Sequence, residues 1–129
     1  MLKEWDLIPT IPTKDIDKAR RFYEDVLGFA PGREDPQGIE YRSGSTRFLL
    51  YPTEFAGTAQ HTLLGWNVDD VETTVKELTN NGITFEQYDM PGIKTDANGI
   101  AETEGVKGAW FKDPDGNILA IGEFGRKGG

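Results

Sequence analysis

The feature that most constrains this fold is a repeated order of predicted elements, because a strand, a helix and three further strands occur twice along the chain. In the first half, apolar residues recur every three to four positions over 19–27, which predicts an amphipathic helix. A shorter stripe of the same period covers 71–78. A repeated supersecondary unit indicates two related modules, at about residues 5–53 and 60–124 of one domain covering 1–129.

Local signals place the predicted elements along the chain. Asp15 or Asp17 can cap the first helix, and Asp69-Asp70 the second. The stretch 89–107 has no counterpart in the first half, and its length and polar, glycine-containing composition predict a lid, a partner contact or a disordered excursion. The predicted strands are residues 7–12, the neighbourhood of Phe29, 38–42, 46–51, 61–68, 83–88, 109–112 and 117–123.

Composition and charge exclude several classes of function. The chain has no cysteine, which excludes disulfide frameworks, thiolate metal sites and cysteine nucleophiles and suits a reducing cytosol. Its formal charge of −8 opposes binding to nucleic acid. The N-terminus lacks an apolar signal segment, and no run reaches membrane-spanning length. We therefore expect a cytoplasmic protein with neither nucleic acid nor membrane as a partner.

Three motifs resemble those of the vicinal oxygen chelate superfamily, which contains glyoxalase I, the bleomycin-resistance proteins and the extradiol dioxygenases. They are IPTKDIDKARRFYEDVLGF at 11–29, VDDV at 68–71 and WFKDPDGN at 110–117. The resemblance covers about residues 5–124 and implies an α+β fold. In that fold two tandem βαβββ modules form a curved, cup-shaped mixed sheet, with helices outside and a cavity inside. The resemblance also implies a homodimer, since family members of this size commonly dimerise.

In the metal-using members of that family four side chains converge in the cavity: a His, a Glu, a His or Gln, and a second Glu. Counted from the motifs, the resemblance places these positions at Ile8, at Leu49 or Leu50, at Leu63 and at Ala120. Divalent ions need imidazole, carboxylate, carbonyl or thiolate donors, which none of these side chains supplies. We therefore expect neither a metal ion nor another cofactor, provided that bulges do not exchange the strand faces.

His61 is the only histidine, and period two puts it on the same strand face as Leu63. It is a candidate general base or ligand-binding group, with Glu40, Glu123 or Asp6 as candidate carboxylate partners. The alternative is a histidine at the start of a strand, bonded to a backbone carbonyl or to water.

Aromatic residues on the predicted strands indicate either a stacking pocket or core packing. The alternation around Trp66 favours the core for that ring. Gly65 and Gly122 are predicted to face the cavity, where they either leave room for a ligand or mark bulges. The candidate ligand-pocket residues are Ile8, Thr10, Phe48, Leu50, His61, Leu63, Gly65, Trp110, Phe111 and Ala120.

Three functions are compatible with these features. The first is a metal-free binding protein of the glyoxalase and bleomycin-resistance group, with a small organic molecule of cationic or aromatic character in the sheet cavity. The second is a glyoxalase-like lyase or isomerase with displaced or absent metal ligands, so whether the chain is an enzyme stays open. The third is an interaction module with a filled cavity, whose 89–107 segment contacts a partner. The aliphatic residues at the four metal positions favour the first.

Overall fold

A computed structural model describes residues 1–124, so residues 125–129 of the predicted domain lie outside the described residues. A short 3-10 helix, Leu2–Glu4, precedes the first module. The strands of that module form a mixed sheet, the first sheet, in the order β1-β4-β3-β2. Its elements are β1 (Thr10–Thr13), α1 (Ile16–Arg20, continued by a π-helical segment Arg21–Val26), β2 (Pro31–Asp35), β3 (Gly38–Ser43) and β4 (Thr46–Pro52).

The second module repeats this arrangement in a second sheet, ordered β5-β10-β9-β8. As β1 pairs with β4, so β5 pairs in parallel with β10, and the remaining pairs are antiparallel. The predicted α+β fold of two tandem βαβββ modules is therefore confirmed. The elements of the second module are β5 (Thr62–Asn67), α2 (Val71–Asn80), β6 (Asp89–Met90), β7 (Ile93–Lys94), β8 (Ile100–Thr103), β9 (Val106–Lys112) and β10 (Ile118–Gly122).

The prediction of a strand at 83–88 is wrong. Ile83 and Phe85 are buried, so the alternating pattern that predicted the strand reflects burial in the core. The segment contributes a backbone hydrogen bond from Glu86 N–H to the Trp110 carbonyl, but it forms no ladder. The edge of the second sheet is occupied instead by β8, which lies within the stretch predicted to have no counterpart in the first module. The β6–β7 hairpin lies there as well.

Both helices begin at capping aspartates. The Asp15 carboxylate accepts from Lys18 N–H at 3.1 Å, so Asp15 and not Asp17 caps α1. The Asp70 carboxylate accepts from Thr73 N–H at 3.2 Å at the start of α2. Such caps satisfy N–H groups that have no partner within the helix. Gly28 follows the first helical segment with φ +86°, a backbone conformation that favours glycine.

One hydrophobic core joins the two modules, because α1 and its continuation lie between the two sheets. The Tyr23 ring packs 6.3 Å from Tyr41 of the first sheet, and the adjacent Phe22 ring lies 6.5 Å from Phe111 of the second. We call the sheet faces turned toward this core the inner faces and the opposite ones the outer faces. Within one chain the two outer faces therefore point away from each other. The inner faces carry the buried residues Ile11, Ile39, Tyr41, Phe48, Leu50, Ala109, Phe111, Leu119 and Ile121.

The turn between β9 and β10 ties the modules together through Asp113, which is 5% exposed. Its carboxylate accepts from the Tyr23 hydroxyl at 2.7 Å and from Asn117 Nδ2 at 2.9 Å, and it also accepts the N–H groups of Asp115 and Asn117. Asn117 Nδ2 donates further to the Pro12 carbonyl at 2.8 Å. Burial raises the pKa of Asp113, against the opposing effect of these hydrogen bonds. This carboxylate therefore has a structural role in the turn.

No helix within residues 1–124 is both long enough and apolar enough to cross a membrane.

Candidate functional site

Small residues cover the outer face of the second sheet. Gly65 on β5 lies opposite Ala120 on β10, and Ala120 lies opposite Trp110 on β9. One row further along, Gly122 lies opposite Gly108. Paired residues project from the same face of a sheet, and with almost no side-chain volume here a flat group can approach the backbone closely. We call Gly65, Gly108, Ala120 and Gly122 the glycine floor.

Two aromatic side chains stand on the glycine floor. Trp110 is half-buried and packs edge-to-face on Tyr88, with 5.5 Å between the ring centroids. Phe124 follows β10, and its ring lies so close to Gly122 that a Cβ atom on that glycine would be 2.6 Å from two ring atoms. The Phe124 side chain is nevertheless 61% exposed. Trp110 and Phe124 thus both stand on the floor.

A pocket of about 570 Å³ opens beside β5, between the two modules, and we call it the aromatic pocket. The Trp66 ring in its wall stacks between Phe29 (6.0 Å) and Phe111 (6.3 Å). Its indole N–H donates to Ser43 Oγ at 3.0 Å. Among the described residues, no Asp, Glu, Lys, Arg or His lines this pocket. Gly65 belongs to both the glycine floor and the aromatic pocket, so the two surfaces are continuous around the edge of β5.

The four positions that the resemblance assigns to metal ligands are divided between the two sheets. Ile8 precedes β1, and Leu49 lies on the outer face of the first sheet, whereas Leu50 is in the core. Ala120 belongs to the glycine floor. Leu63 is the extra residue of a β-bulge in β5, where the register changes.

These residues do not fit a divalent metal ion. Their aliphatic side chains carry no donor atom, and neither Thr62 nor Leu64, the neighbours of the bulge, supplies an imidazole or a carboxylate. Within residues 1–124, moreover, no three His, Cys, Asp or Glu side chains are grouped so that they could hold a metal ion.

His61 lies just before β5 and is exposed. Its Nδ1 is 2.9 Å from the carbonyl oxygen of Thr62, which is the geometry of a histidine bonded to backbone at the start of a strand. Two of its candidate carboxylate partners have other contacts. Glu40 lies 3.2 Å from Arg47, and Glu123 accepts the N–H of Val71 at the start of α2.

The structure brings together only part of the predicted pocket. Gly65, Trp110 and Ala120 share the outer face of the second sheet, whereas Ile8 and Thr10 lie with the first sheet. The other predicted residues are placed elsewhere: Phe48 and Leu50 in the core, Phe111 on the inner face beside the aromatic pocket, and His61 and Leu63 at the start of β5.

Three aromatic residues of the site were not among the candidates from sequence. The alternation around Trp66 places its ring on the inner face, as observed, but a pattern within one strand does not reveal a pocket on that side. Phe29 lies in the connection after α1, where no periodicity applies. Phe124 did leave a signal, because it is two residues beyond Gly122 and period two puts both on one face.

Comparison with protein-family models gives one match of nearly the whole chain. Residues 8–121 match the model described as the Glyoxalase/Bleomycin resistance protein/Dioxygenase superfamily. No curated protein matches the sequence.

Several solved structures share the fold. A glyoxalase family protein from Enterococcus faecalis has a TM-score of 0.71 and 22% identity, covering 95% of this chain and 100% of its own. The bleomycin resistance determinant encoded on transposon Tn5 has a TM-score of 0.69 and 20% identity, and the match covers 92% of this chain and 97% of that protein. TnmS3, an antibiotic-binding protein from Streptomyces sp. CB03234, has a TM-score of 0.60 and 21% identity, and the match covers 91% of this chain and 94% of that protein.

Proposed function

The chain belongs to the Glyoxalase/Bleomycin resistance protein/Dioxygenase superfamily, and we propose that it binds a small organic molecule without a metal ion. The glycine floor is the observation that carries this proposal. It is an apolar surface of small residues on which the Trp110 and Phe124 side chains stand, and it continues into the aromatic pocket. Small-molecule sites are typically concave and apolar, with volumes of roughly 300–1,000 Å³ and a few polar groups. The aromatic pocket, at about 570 Å³, lies within that range.

Two of the similar structures support binding as the function. The Tn5 protein is a bleomycin resistance determinant, and TnmS3 is an antibiotic-binding protein. Metal-dependent catalysis has less support, because the four positions that would hold the metal carry only aliphatic side chains. His61, the candidate general base, has its observed contact with the backbone.

We also propose that a second copy of the chain lies across the glycine floor, so that the ligand site is enclosed between the two copies. In one chain Ala120 and Gly122 are already buried but Gly65 is exposed, and the outer face of the first sheet, with Ile8 and Leu49, points away from the floor. The N-terminal segment leading into β1 exposes five large apolar side chains in eight residues, which is unfavourable unless another surface covers them. In a homodimer, the first sheet of one copy would face the second sheet of the other. The exposed side chains are Met1, Leu2, Trp5, Leu7 and Ile8.

A sedimentation experiment tests the dimer. We expect a mass of twice 14.3 kDa for the wild type, and a monomer for Ile8→Asp, whose carboxylate would be buried at the interface. Phe55→Asp is the control, since Phe55 is 75% exposed and lies in the connection between the modules. A monomeric wild type at high micromolar concentration would contradict the homodimer.

Two measurements together test metal-free binding. Calorimetric titration with Zn²⁺, Ni²⁺ and Fe²⁺ should show no tight, stoichiometric site. A thermal-shift screen of neutral and cationic aromatic compounds, antibiotics among them, should yield compounds that stabilise the protein. A ligand at a hundred times its Kd adds about 2.7 kcal/mol, which corresponds to a rise in Tm of about 10 °C for a chain of this size. A tight metal site, or a screen in which no compound raises the Tm, would overturn the proposal.

A further inference from the structure

We propose that Phe124 is the stacking residue of the ligand site and that the site takes a flat, uncharged aromatic group. This inference rests on the proposed binding function. It starts from the contact between Phe124 and the glycine floor, which neither the family match nor the similar structures assign to any role.

The contact explains why residue 122 has no side chain. Gly122 is not among the glycines with positive φ, so its backbone does not require glycine. A Cβ atom there would lie 2.6 Å from Cε1 and Cζ of Phe124 and 3.0 Å from Cε2, well inside van der Waals contact. A Cβ on Gly65 would be 3.4 Å from the same ring. The absence of side chains at Gly122 and Gly65 therefore makes room for the Phe124 ring.

The backbone that carries the ring is held in place on three sides. Phe124 N–H donates to Asn67 Oδ1 at 3.0 Å, and Glu123 N–H donates to the Lys107 carbonyl at 3.0 Å. The Glu123 carboxylate accepts the Val71 N–H at the start of α2. Because its backbone is held by these hydrogen bonds, the Phe124 side chain loses little further conformational freedom when a second ring stacks on it.

Phe124 has a free surface of the kind that stacking uses. Its ring tip touches the glycine floor, yet 61% of the side chain is exposed to solvent. A large aromatic group that is positioned by hydrogen bonds but left open is an apolar surface available to a ligand. A group that stacks on this ring must itself be flat, and Trp110 on the same floor offers a second aromatic surface.

The surroundings select an uncharged ligand. The glycine floor carries no charge, and no ionisable side chain among the described residues lines the adjoining aromatic pocket. A charged group placed there would lose its hydration without gaining an ion pair. Of the two ligand characters expected from the sequence, this geometry favours the aromatic one over the cationic one.

The test uses N-phenyl-1-naphthylamine, a neutral aromatic probe whose fluorescence rises on transfer to an apolar site. The wild type should bind it saturably. Phe124→Ala should weaken binding by about two- to tenfold, the range that one aromatic contact contributes, whereas Phe124→Trp should retain it. Phe55→Ala, which removes an exposed phenylalanine far along the chain, should leave the Kd within twofold.

Variants at Gly122 separate the ring from the floor. Gly122→Ala drives a methyl group into the Phe124 ring, so it should displace the ring and weaken binding as Phe124→Ala does. In the Phe124→Ala background the added methyl group has no ring to displace, so the double variant should bind the probe as Phe124→Ala does. Circular dichroism would confirm that each variant is folded.

The outcomes also separate this inference from the proposed function. If the thermal-shift screen finds ligands but Phe124→Ala binds the probe as tightly as the wild type, Phe124 has no stacking role and the binding function stands. A further loss of affinity when Gly122→Ala is added to Phe124→Ala would likewise overturn the role of the ring. If the wild type binds cationic compounds and not the probe, the ligand class is wrong. If no compound binds, both proposals fail.

Discussion

The Tyr23→Phe substitution removes one hydroxyl group from the buried joint between the two modules. That hydroxyl donates to Asp113 over 2.7 Å, Tyr23 is fully buried and Asp113 is 5% exposed. The ring stays, so its packing on Tyr41 is retained and almost no cavity forms. A buried hydrogen bond to a carboxylate contributes about 1.5–3 kcal/mol. We expect the free energy of unfolding at pH 7.5 to fall by that amount, and the Tm by about 5–15 °C.

The loss should depend on pH in a defined direction. Burial raises the pKa of Asp113 in the folded protein, so the contribution of this group to stability is fully present below its unfolded pKa and is lost as the pH rises through the folded pKa. The Tyr23 hydroxyl opposes that rise. Its removal raises the pKa of Asp113 further, so the loss is largest at pH 7.5. It shrinks to about 1 kcal/mol or less near pH 4, where a protonated Asp113 makes only a neutral hydrogen bond.

Urea unfolding followed by tryptophan fluorescence at pH 7.5 and pH 4.0 measures both quantities. Tyr51→Phe is the matched control, because Tyr51 is half-buried at the end of the outer face of the first sheet, and its change should stay below about 0.5 kcal/mol. A Tyr23→Phe protein as stable as the wild type at pH 7.5 would refute the argument. So would a loss of the same size at both pH values.

Three further substitutions test other parts of the structure. Asp70→Ala removes the cap of α2 and should lower the Tm by about 3–5 °C in thermal melts followed by circular dichroism; an unchanged Tm would contradict the capping role. Hydrogen bonds from Arg20 and Tyr41 hold the pKa of Glu24 below its usual value. The contribution of Glu24 to folding stability is therefore present above its unfolded pKa and is lost as the pH falls through its folded pKa. Glu24→Gln should therefore be less stable than the wild type by about 1 kcal/mol at pH 7, and the difference should disappear below about pH 4; a gap that is constant with pH would count against this. His61→Ala should change the unfolding free energy by less than about 0.5 kcal/mol, since the side chain is exposed, and a larger loss would reveal a structural role.

The sequence by itself determined the features that depend on neighbouring residues. Asp70 precedes an amphipathic run, so its carboxylate meets the free N–H groups of the helix that follows. Gly28 ends the first helical segment because the backbone at this position has a positive φ, which favours glycine. The turn at 113–117 closes through its own aspartate and asparagine. These interactions span a few residues, so the twofold order of elements and the family motifs could be recognised without a structure.

Only the tertiary structure decided which segments pair and what covers each face. The alternating residues at 83–88 fit a strand, but β8 forms the edge of the second sheet, because strand pairing depends on partners distant in sequence. Period two separated Leu49 from Leu50 onto opposite faces, yet only the position of α1 between the sheets showed which face is buried. The contact of the Phe124 ring with Gly122 could likewise be seen only in the folded chain. A sequence pattern reports where apolar side chains recur, whereas the site depends on contacts between elements that the pattern does not contain.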